Sequence, residues 1–172
     1  MFFLVMLGMI LFSCGQPAKT ENKVSPKKES KIVGLVEDVL TKAEQDALTP
    51  DMVIKTLKEG NQRFVNDKLD GKLQDSSRRS ELTSGQEPHT IVLSCADSRV
   101  VPELAFDSGL GELFVVRVAG NIANNSSIAS IEYAVAHCGT KLIVVLGHES
   151  CGAVTAALAG GNNGYNLNHL LA

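Results

Sequence analysis

Two short clusters in this chain hold side chains suited to gripping a metal ion. One is Cys95-Ala-Asp97-Ser-Arg99, just after the apolar run Ile91-Val-Leu93; the other is His148-Glu-Ser-Cys151, just after Leu142-Ile-Val-Val-Leu146. Each stands where a buried strand would end, so both can face one crevice at the carboxyl edge of a parallel sheet, where open α/β folds bind their ligands. Two thiolates and one imidazole suit zinc, and three protein ligands leave the fourth tetrahedral position to water or substrate. Cys95, His148 and Cys151 can supply the three. The i, i+3 spacing of His148 and Cys151 fits a tight turn into a helix amino terminus, which also favours thiolate over thiol. No second close Cys or His pair stands ready to complete a structural zinc site, and Asp97 is the one motif carboxylate placed to compete for the fourth position.

The elements around these clusters follow from the apolar pattern. Residues 90–93, 113–118 and 141–146 are short, continuously apolar runs separated by helix-like material. Continuous rather than alternating runs predict strands buried on both faces, hence a largely parallel sheet with crossover helices. Between the last two runs, 127–138 places small and aliphatic residues at helical spacing and stops at Gly139. His137 and Cys138 near its end read as packing or capping residues, since a free Cys commonly behaves as a small buried hydrophobe. Thr49-Pro50-Asp51 opens a helix with a capping hydroxyl, Pro at the first helical position and an acid in the first turn. Val53, Ile54, Leu57 and Phe64 then recur near helical spacing and predict its buried face. The charged stretch 67–79 reads as a surface helix or loop, with Arg78-Arg79 on a solvated face. After Cys151-Gly152 a further helix is expected over 153–158. The expected class is α/β: a mostly parallel central sheet flanked by helices, with an N-terminal helical arm.

Composition narrows the partners. The chain has 172 residues, 44% hydrophobic and 5% aromatic, with no Trp and a formal net charge of −3, which suggests neither disorder nor a nucleic-acid-binding surface. Its four cysteines, Cys14, Cys95, Cys138 and Cys151, sit in unrelated settings and do not form a disulfide framework. Residues 1–12 are almost entirely apolar and break at Ser13-Cys14-Gly15, as a secretory signal does. Leu11-Phe12-Ser13-Cys14 is similar to a lipobox, which makes 1–13 a lipoprotein signal peptide and Cys14 the lipidated mature N-terminus; the competing reading is a buried N-terminal strand with a chance Cys. The run falls short of the roughly 20 apolar residues of a membrane-crossing helix. Residues 14–45 are expected to form a tether, polar and aperiodic over 15–30, with 32–40 either a short helix or an arm packed on a partner subunit. The domain itself is expected over 46–172, lipid-anchored to a bacterial membrane in the cell envelope and facing the periplasm.

Longer stretches surround the two clusters. They are the opening helix 49–64, Gly85-Gln86-Glu-Pro88, Cys95-Ala-Asp97-Ser-Arg99-Val-Val-Pro102, Gly111-Glu-Leu-Phe114-Val-Val-Arg117-Val-Ala-Gly120-Asn121, Ile131-Glu-Tyr133-Ala134 and Gly147-His148-Glu-Ser-Cys151-Gly152-Ala153. In this order they resemble a bacterial β-class carbonic anhydrase, from about Thr49 to the last residue. The resemblance implies reversible hydration of carbon dioxide to bicarbonate and a proton, with one zinc per subunit on Cys95, His148 and Cys151. It implies attack by zinc-bound hydroxide, assisted by an Asp97–Arg99 dyad in which a charge-assisted pair keeps the carboxylate ionised and correctly turned. When Arg99 lets go, Asp97 becomes a zinc ligand itself and closes the site.

For substrate, the resemblance assigns Gln86, nine residues before Cys95, as a hydrogen-bond donor to a carbon dioxide or bicarbonate oxygen. Phe114, Ala119 and Tyr133 fall on the family's apolar wall, Phe114 and Tyr133 being expected from across a subunit interface, and Gly120-Asn121 on the backbone turn beside the pocket. A homodimer or higher oligomer is therefore implied. Family members continue with further helices and another strand, so the chain resembles a C-terminally incomplete copy. Two other readings use the same residues. One is hydrolysis of carbon disulfide or carbonyl sulfide; the other is a tethered, non-catalytic zinc or redox module in which Cys95 and Cys151 exchange between metal and disulfide. Neither metal storage nor redox sensing needs Asp97, Arg99 and Gln86 together.

Overall fold

Thr90–Cys95 forms β1, and all of its residues are buried, as a continuous apolar run in the middle of a sheet requires. β2 (Leu113–Val118) and β3 (Leu142–Leu146) pair with it in parallel on either side, giving a three-stranded sheet of order β2-β1-β3. The register sets Cys95 against Val118 and Ser94 against Leu146, so all three carboxyl ends lie together and the segments that leave them meet. The structure is a computed structural model that describes residues 39–172; the expected signal peptide, the lipidation residue Cys14 and the tether up to residue 38 lie outside them.

Burial on both faces holds for β1 alone. In β3 the half-buried Leu142, Val144 and Leu146 alternate with the exposed Ile143 and Val145, the pattern of a strand with one covered face.

Helices connect and flank the strands. α1 (Lys42–Ala47) precedes α2 (Pro50–Val65), which opens as its residues predict: the Thr49 hydroxyl accepts the Met52 N–H, with Pro50 at the first position. α2 buries Val53, Leu57 and Gly60, whereas Ile54 and Phe64, expected on the buried face, are exposed. The reason is a close approach. A Cβ on Gly60 would lie 1.8 Å from the Phe106 carbonyl oxygen, so the backbone at Phe106 packs directly on the narrow stripe of Val53, Leu57 and Gly60.

α3 (Ser76–Glu81) and α4 (Pro102–Ala105) are short. Arg78, expected on a solvated face, is buried instead: its Nε donates to the Leu110 carbonyl in the turn before β2, and a second guanidinium nitrogen faces Glu81 at 3.6 Å. α5 (Asn125–Cys138) crosses from β2 to β3, capped by the Asn124 side chain and ended by Gly139 at φ 69°, a left-handed stop. α6 (Gly152–Ala159) and α7 (Tyr165–Leu171) complete the order.

The last part of the segment expected as tether or arm belongs to the folded body. Gln45, in α1, is only 1% exposed, and its Nε2 donates to the carbonyls of Pro88 at 2.9 Å and Cys138 at 2.8 Å. One buried amide thus ties α1 to the start of β1 and the end of α5, with both of its hydrogens used.

Candidate metal centre

Cys95 is the last residue of β1. The Ala96 N–H still bonds to the Val118 carbonyl at 3.1 Å, so the chain leaves the sheet only after Ala96 and turns at Asp97, whose carbonyl accepts the Val100 N–H. On the other side of β1, β3 ends at Leu146, and a turn with Ser150 at φ 55° delivers Cys151 to the N-cap of α6. The ligating atoms of Cys95, His148 and Cys151 all lie within 4.8 Å of one another, the one such group among the described residues. The two sulfurs are 3.9 Å apart.

Those spacings suit a tetrahedral ion. Two thiolates on one zinc at about 2.3 Å each stand about 3.8 Å apart. The His148 Nδ1 lies 2.9 Å from the Glu149 carbonyl oxygen, which can only accept, so Nδ1 carries the hydrogen and Nε2 keeps its lone pair. That Nε2 is buried and has no hydrogen-bond partner among the described residues. An orphaned imidazole nitrogen beside two buried sulfurs is what a metal ion would satisfy.

The electrostatics agree with this. Burial pushes the Cys95 thiol up, but the N–H of Asp97 at 3.4 Å, the His148 ring, the N–H of Gly120 at 3.3 Å and the Cys151 sulfur together outweigh it and bring Cys95 down to about 7. The Cys95 sulfur in turn raises the pKa of His148. A sulfur favoured as the thiolate, beside an imidazole whose positive form that sulfur favours, makes a negative site of the kind a cation enters. Asp97 is lowered as well, since Arg99 holds its carboxyl far below the usual range. Arg99 Nε donates to Oδ1 at 2.9 Å, Nη2 to Oδ2 at 2.7 Å, and the Arg99 backbone N–H to Oδ1 at 3.0 Å. The carboxylate stands beside the cluster, its Oδ2 3.9 Å from His148 Nε2. Nη2 of Arg99 also reaches the Ser150 carbonyl at 3.2 Å, which bridges the two loops.

The structure divides the expected substrate residues. Ala119–Asn121 forms a 3-10 turn directly after β2, at the metal end of the sheet. Gly120 takes φ 72° there, and that conformation aims its N–H at Cys95 Sγ. Gln86, Phe114 and Tyr133 lie elsewhere. Phe114 pairs with Ile91, so along β1 it stands four residues from Cys95, roughly 13 Å at strand rise. The Tyr133 ring lies 6.2 Å from that of Phe114 and 5.0 Å from His137, and Gln86 is exposed in the loop before β1. Within one chain, these three side chains are at the opposite end of the sheet from the metal cluster. Cys138 is buried at the end of α5, as a packing residue would be.

One contributor is absent from the sequence reading of the site. Arg117, exposed on β2, donates from Nε to the Cys95 carbonyl at 3.0 Å and from Nη2 to the Asp97 carbonyl at 2.7 Å. The signal for it is a single charge inside an otherwise apolar strand, Leu113-Phe-Val-Val-Arg117-Val118.

Comparison with known proteins agrees with the arrangement. The sequence model of the carbonic anhydrase family matches residues 90–172, which include every residue of the cluster. Carbonic anhydrase 2 of Mycobacterium tuberculosis is 52% identical over 110 residues, covering 64% of this chain and 53% of that protein. The carbonic anhydrase of Mycolicibacterium smegmatis is 51% identical over 105 residues, 61% of this chain and 51% of that one. The chain thus spans about half the length of the curated relatives it matches. Among solved structures, the Coccomyxa β-carbonic anhydrase in complex with acetazolamide superposes with a TM-score of 0.53 at 32% identity, over 69% of this chain and 54% of that chain. Sequence, parallel sheet and the Cys-His-Cys group at its carboxyl edge lead to one assignment: the chain belongs to the β-class carbonic anhydrase family.

Proposed function

We propose that this protein catalyses the reversible hydration of carbon dioxide to bicarbonate and a proton, with one zinc ion per subunit on Cys95, His148 and Cys151. The observation that carries the reading is the position of Asp97: its carboxylate is gripped by Arg99 and stands beside the three donor atoms. Zinc, when bound, supplies a Lewis acid that acidifies water near neutral pH.

The chain's own residues do the remaining work. An ionised Asp97 can only accept a hydrogen bond, so it would orient the attacking oxygen by accepting a hydrogen bond from it, which leaves a lone pair directed at the substrate carbon. Arg99 keeps that carboxylate charged and turned away from the cluster. The N–H groups of Asp97 and Gly120 hold Cys95 as the thiolate. Were Arg99 to release Asp97, the carboxylate could swing into the cluster and shut the site.

The substrate pocket is proposed to be completed by a second copy of the chain. Gln86 is exposed and Tyr133 is 52% exposed, so both are accessible to a neighbouring subunit. There Gln86 would donate to a substrate oxygen, while Phe114 and Tyr133 would join Ala119 in an apolar wall suited to a small uncharged molecule. The Sordaria macrospora β-carbonic anhydrases, 30% identical with a TM-score of 0.53 over 69% of this chain and 60% of theirs, are tetrameric. The envelope location and the lipid on Cys14 remain part of the proposal on the strength of the signal-like residues 1–13; palmitate labelling that persists in Cys14→Ser would remove them.

The test is stopped-flow proton release by zinc-loaded, full-length protein, with and without a chelator. A chelator-sensitive rate is expected; its absence from protein of full zinc content overturns the proposal.

A further inference from the structure

We propose that Arg117 is a positioning residue of the metal centre: from the neighbouring strand it pins the Cys95–Asp97 backbone, so that the Asp97 carboxylate stays turned toward Arg99. The inference rests on the proposed role of Asp97. The argument is one of what moves with what. The three hydrogen bonds that Arg99 gives Asp97 span only two residues, so they travel with the loop and cannot fix it in space. Beyond the one bond from Arg99 Nη2 to the Ser150 carbonyl, which ties the loop only to another loop, a fixed point must come from the sheet.

β2 provides it. Its Val118 carbonyl takes the Ala96 N–H, Gly120 gives its N–H to Cys95 Sγ, and Arg117 forks across the carbonyls of Cys95 and Asp97 on either side of Ala96. Arg117 therefore grips the residue that bears the thiolate and the residue that bears the carboxylate at the same time. Its side chain is exposed, so core packing does not account for a charge in that strand. The planar guanidinium presents paired donors in a fixed fork, which the single ammonium of Lys cannot reproduce.

The competing explanation is that Arg117 merely stabilises the fold, and the test separates the two. Full-length protein is prepared with cobalt in place of zinc, and its visible spectrum is followed as azide is added. Wild type is expected to respond, because an anion can enter the open position. Arg117→Ala should keep its metal content and melt within a few degrees of wild type, yet lose the azide response as Asp97 swings into the cluster. Arg117→Lys should not rescue it. The double variant Arg117→Ala/Asp97→Ala should regain the response, which a purely structural defect would not allow. The zinc-loaded Arg117→Ala protein should lose activity about 10- to 100-fold, as supporting residues of metal sites commonly do.

An unchanged azide response in Arg117→Ala overturns the inference, as does a wild type with no response or a loss that Asp97→Ala fails to restore. A wild type that responds to azide but hydrates no carbon dioxide would sink the proposed activity and leave the positioning role intact.

Discussion

Arg99 and Asp97 meet as a fork on a fork, Nε to Oδ1 at 2.9 Å and Nη2 to Oδ2 at 2.7 Å, with the Arg99 backbone N–H adding a third bond to Oδ1. To turn toward His148, the carboxylate must release both side-chain bonds together. Removing the guanidinium should therefore free Asp97 without disturbing the three metal donors. Arg99→Ala is expected to lower kcat about 100-fold or more, the scale of losing a positioned acid–base group, with close to one zinc per chain retained. Stopped-flow rates beside metal analysis check this; a normal rate at normal zinc content would take Arg99 out of the mechanism.

Removing the metal should expose a second property of the same cluster. With Cys95 Sγ and Cys151 Sγ 3.9 Å apart and Cys95 brought down to about 7, the apo protein holds a reactive thiolate next to a second sulfur. Treatment with a chelator and then diamide is expected to consume both thiols and yield a peptide pair linked through Cys95 and Cys151. Zinc should protect them. Mass spectrometry of digests from the two conditions decides the matter, and equal oxidation with and without zinc would mean that these cysteines are not metal ligands.

Much of this was legible in the residues, and the reason is that local signals set it. A run buried on both faces made β1 visible, Thr49-Pro50 marked the start of α2, and Gly139 marked the end of α5. The metal donors were legible because each stands just beyond an apolar run. What stayed hidden depends on which backbone carbonyl arrives from elsewhere in the chain. Nothing near Gln45 in sequence points to Pro88 or Cys138, nothing near Arg78 points to Leu110, and nothing near Arg117 points to Cys95. The exposure of Ile54 and Phe64 has the same origin, since Gly60 narrows the buried stripe only by meeting Phe106.

Gln45 offers a test of the fold apart from the chemistry. Replacing it with Ala removes two buried hydrogen bonds; the Pro88 carbonyl keeps its bond from Thr140, but the Cys138 carbonyl loses the amide that faces it. Gln45→Ala should cost about 2–4 kcal/mol, since a buried polar group left unsatisfied costs about 1–3 kcal/mol in addition to the net value of the lost bonds. Urea unfolding of the two proteins measures it. A midpoint unchanged from wild type would show that α1 does not anchor the sheet.

The separation of Phe114 and Tyr133 from the cluster makes a prediction about mixing. A chain with His148→Ala lacks a metal donor but keeps Gln86, and a chain with Gln86→Ala keeps the donors but lacks the amide. If each site draws on two chains, coassembled mixtures should recover activity that neither variant has alone, because one kind of site in the mixed dimer is intact. Stopped-flow rates after joint refolding test this, with size-exclusion chromatography to show that mixed oligomers form. Mixed oligomers without recovery would place Gln86 outside the partner's site.

His89 supplies a pH dependence with a definite sign. It is buried at the start of β1, with Nδ1 2.8 Å from the Thr90 hydroxyl, and burial pushes its pKa down to about 4. In the unfolded chain an imidazole titrates near 6.5. Between these values the unfolded chain takes up a proton that the folded chain refuses, so stability rises with pH across the window and reaches its full value above about 6.5. The gap corresponds to about 3 kcal/mol as an upper figure. His89→Asn keeps a donor near the Thr90 hydroxyl but cannot titrate, so its stability should change less between pH 4 and pH 6.5. Carboxylates and zinc release act on both proteins, because His89 sits at the amino edge of the sheet, away from the metal cluster. The difference between their urea midpoints at pH 4.5, 5.5, 6.5 and 7.5 therefore isolates the imidazole, and two parallel curves would show that His89 is not held neutral by the fold.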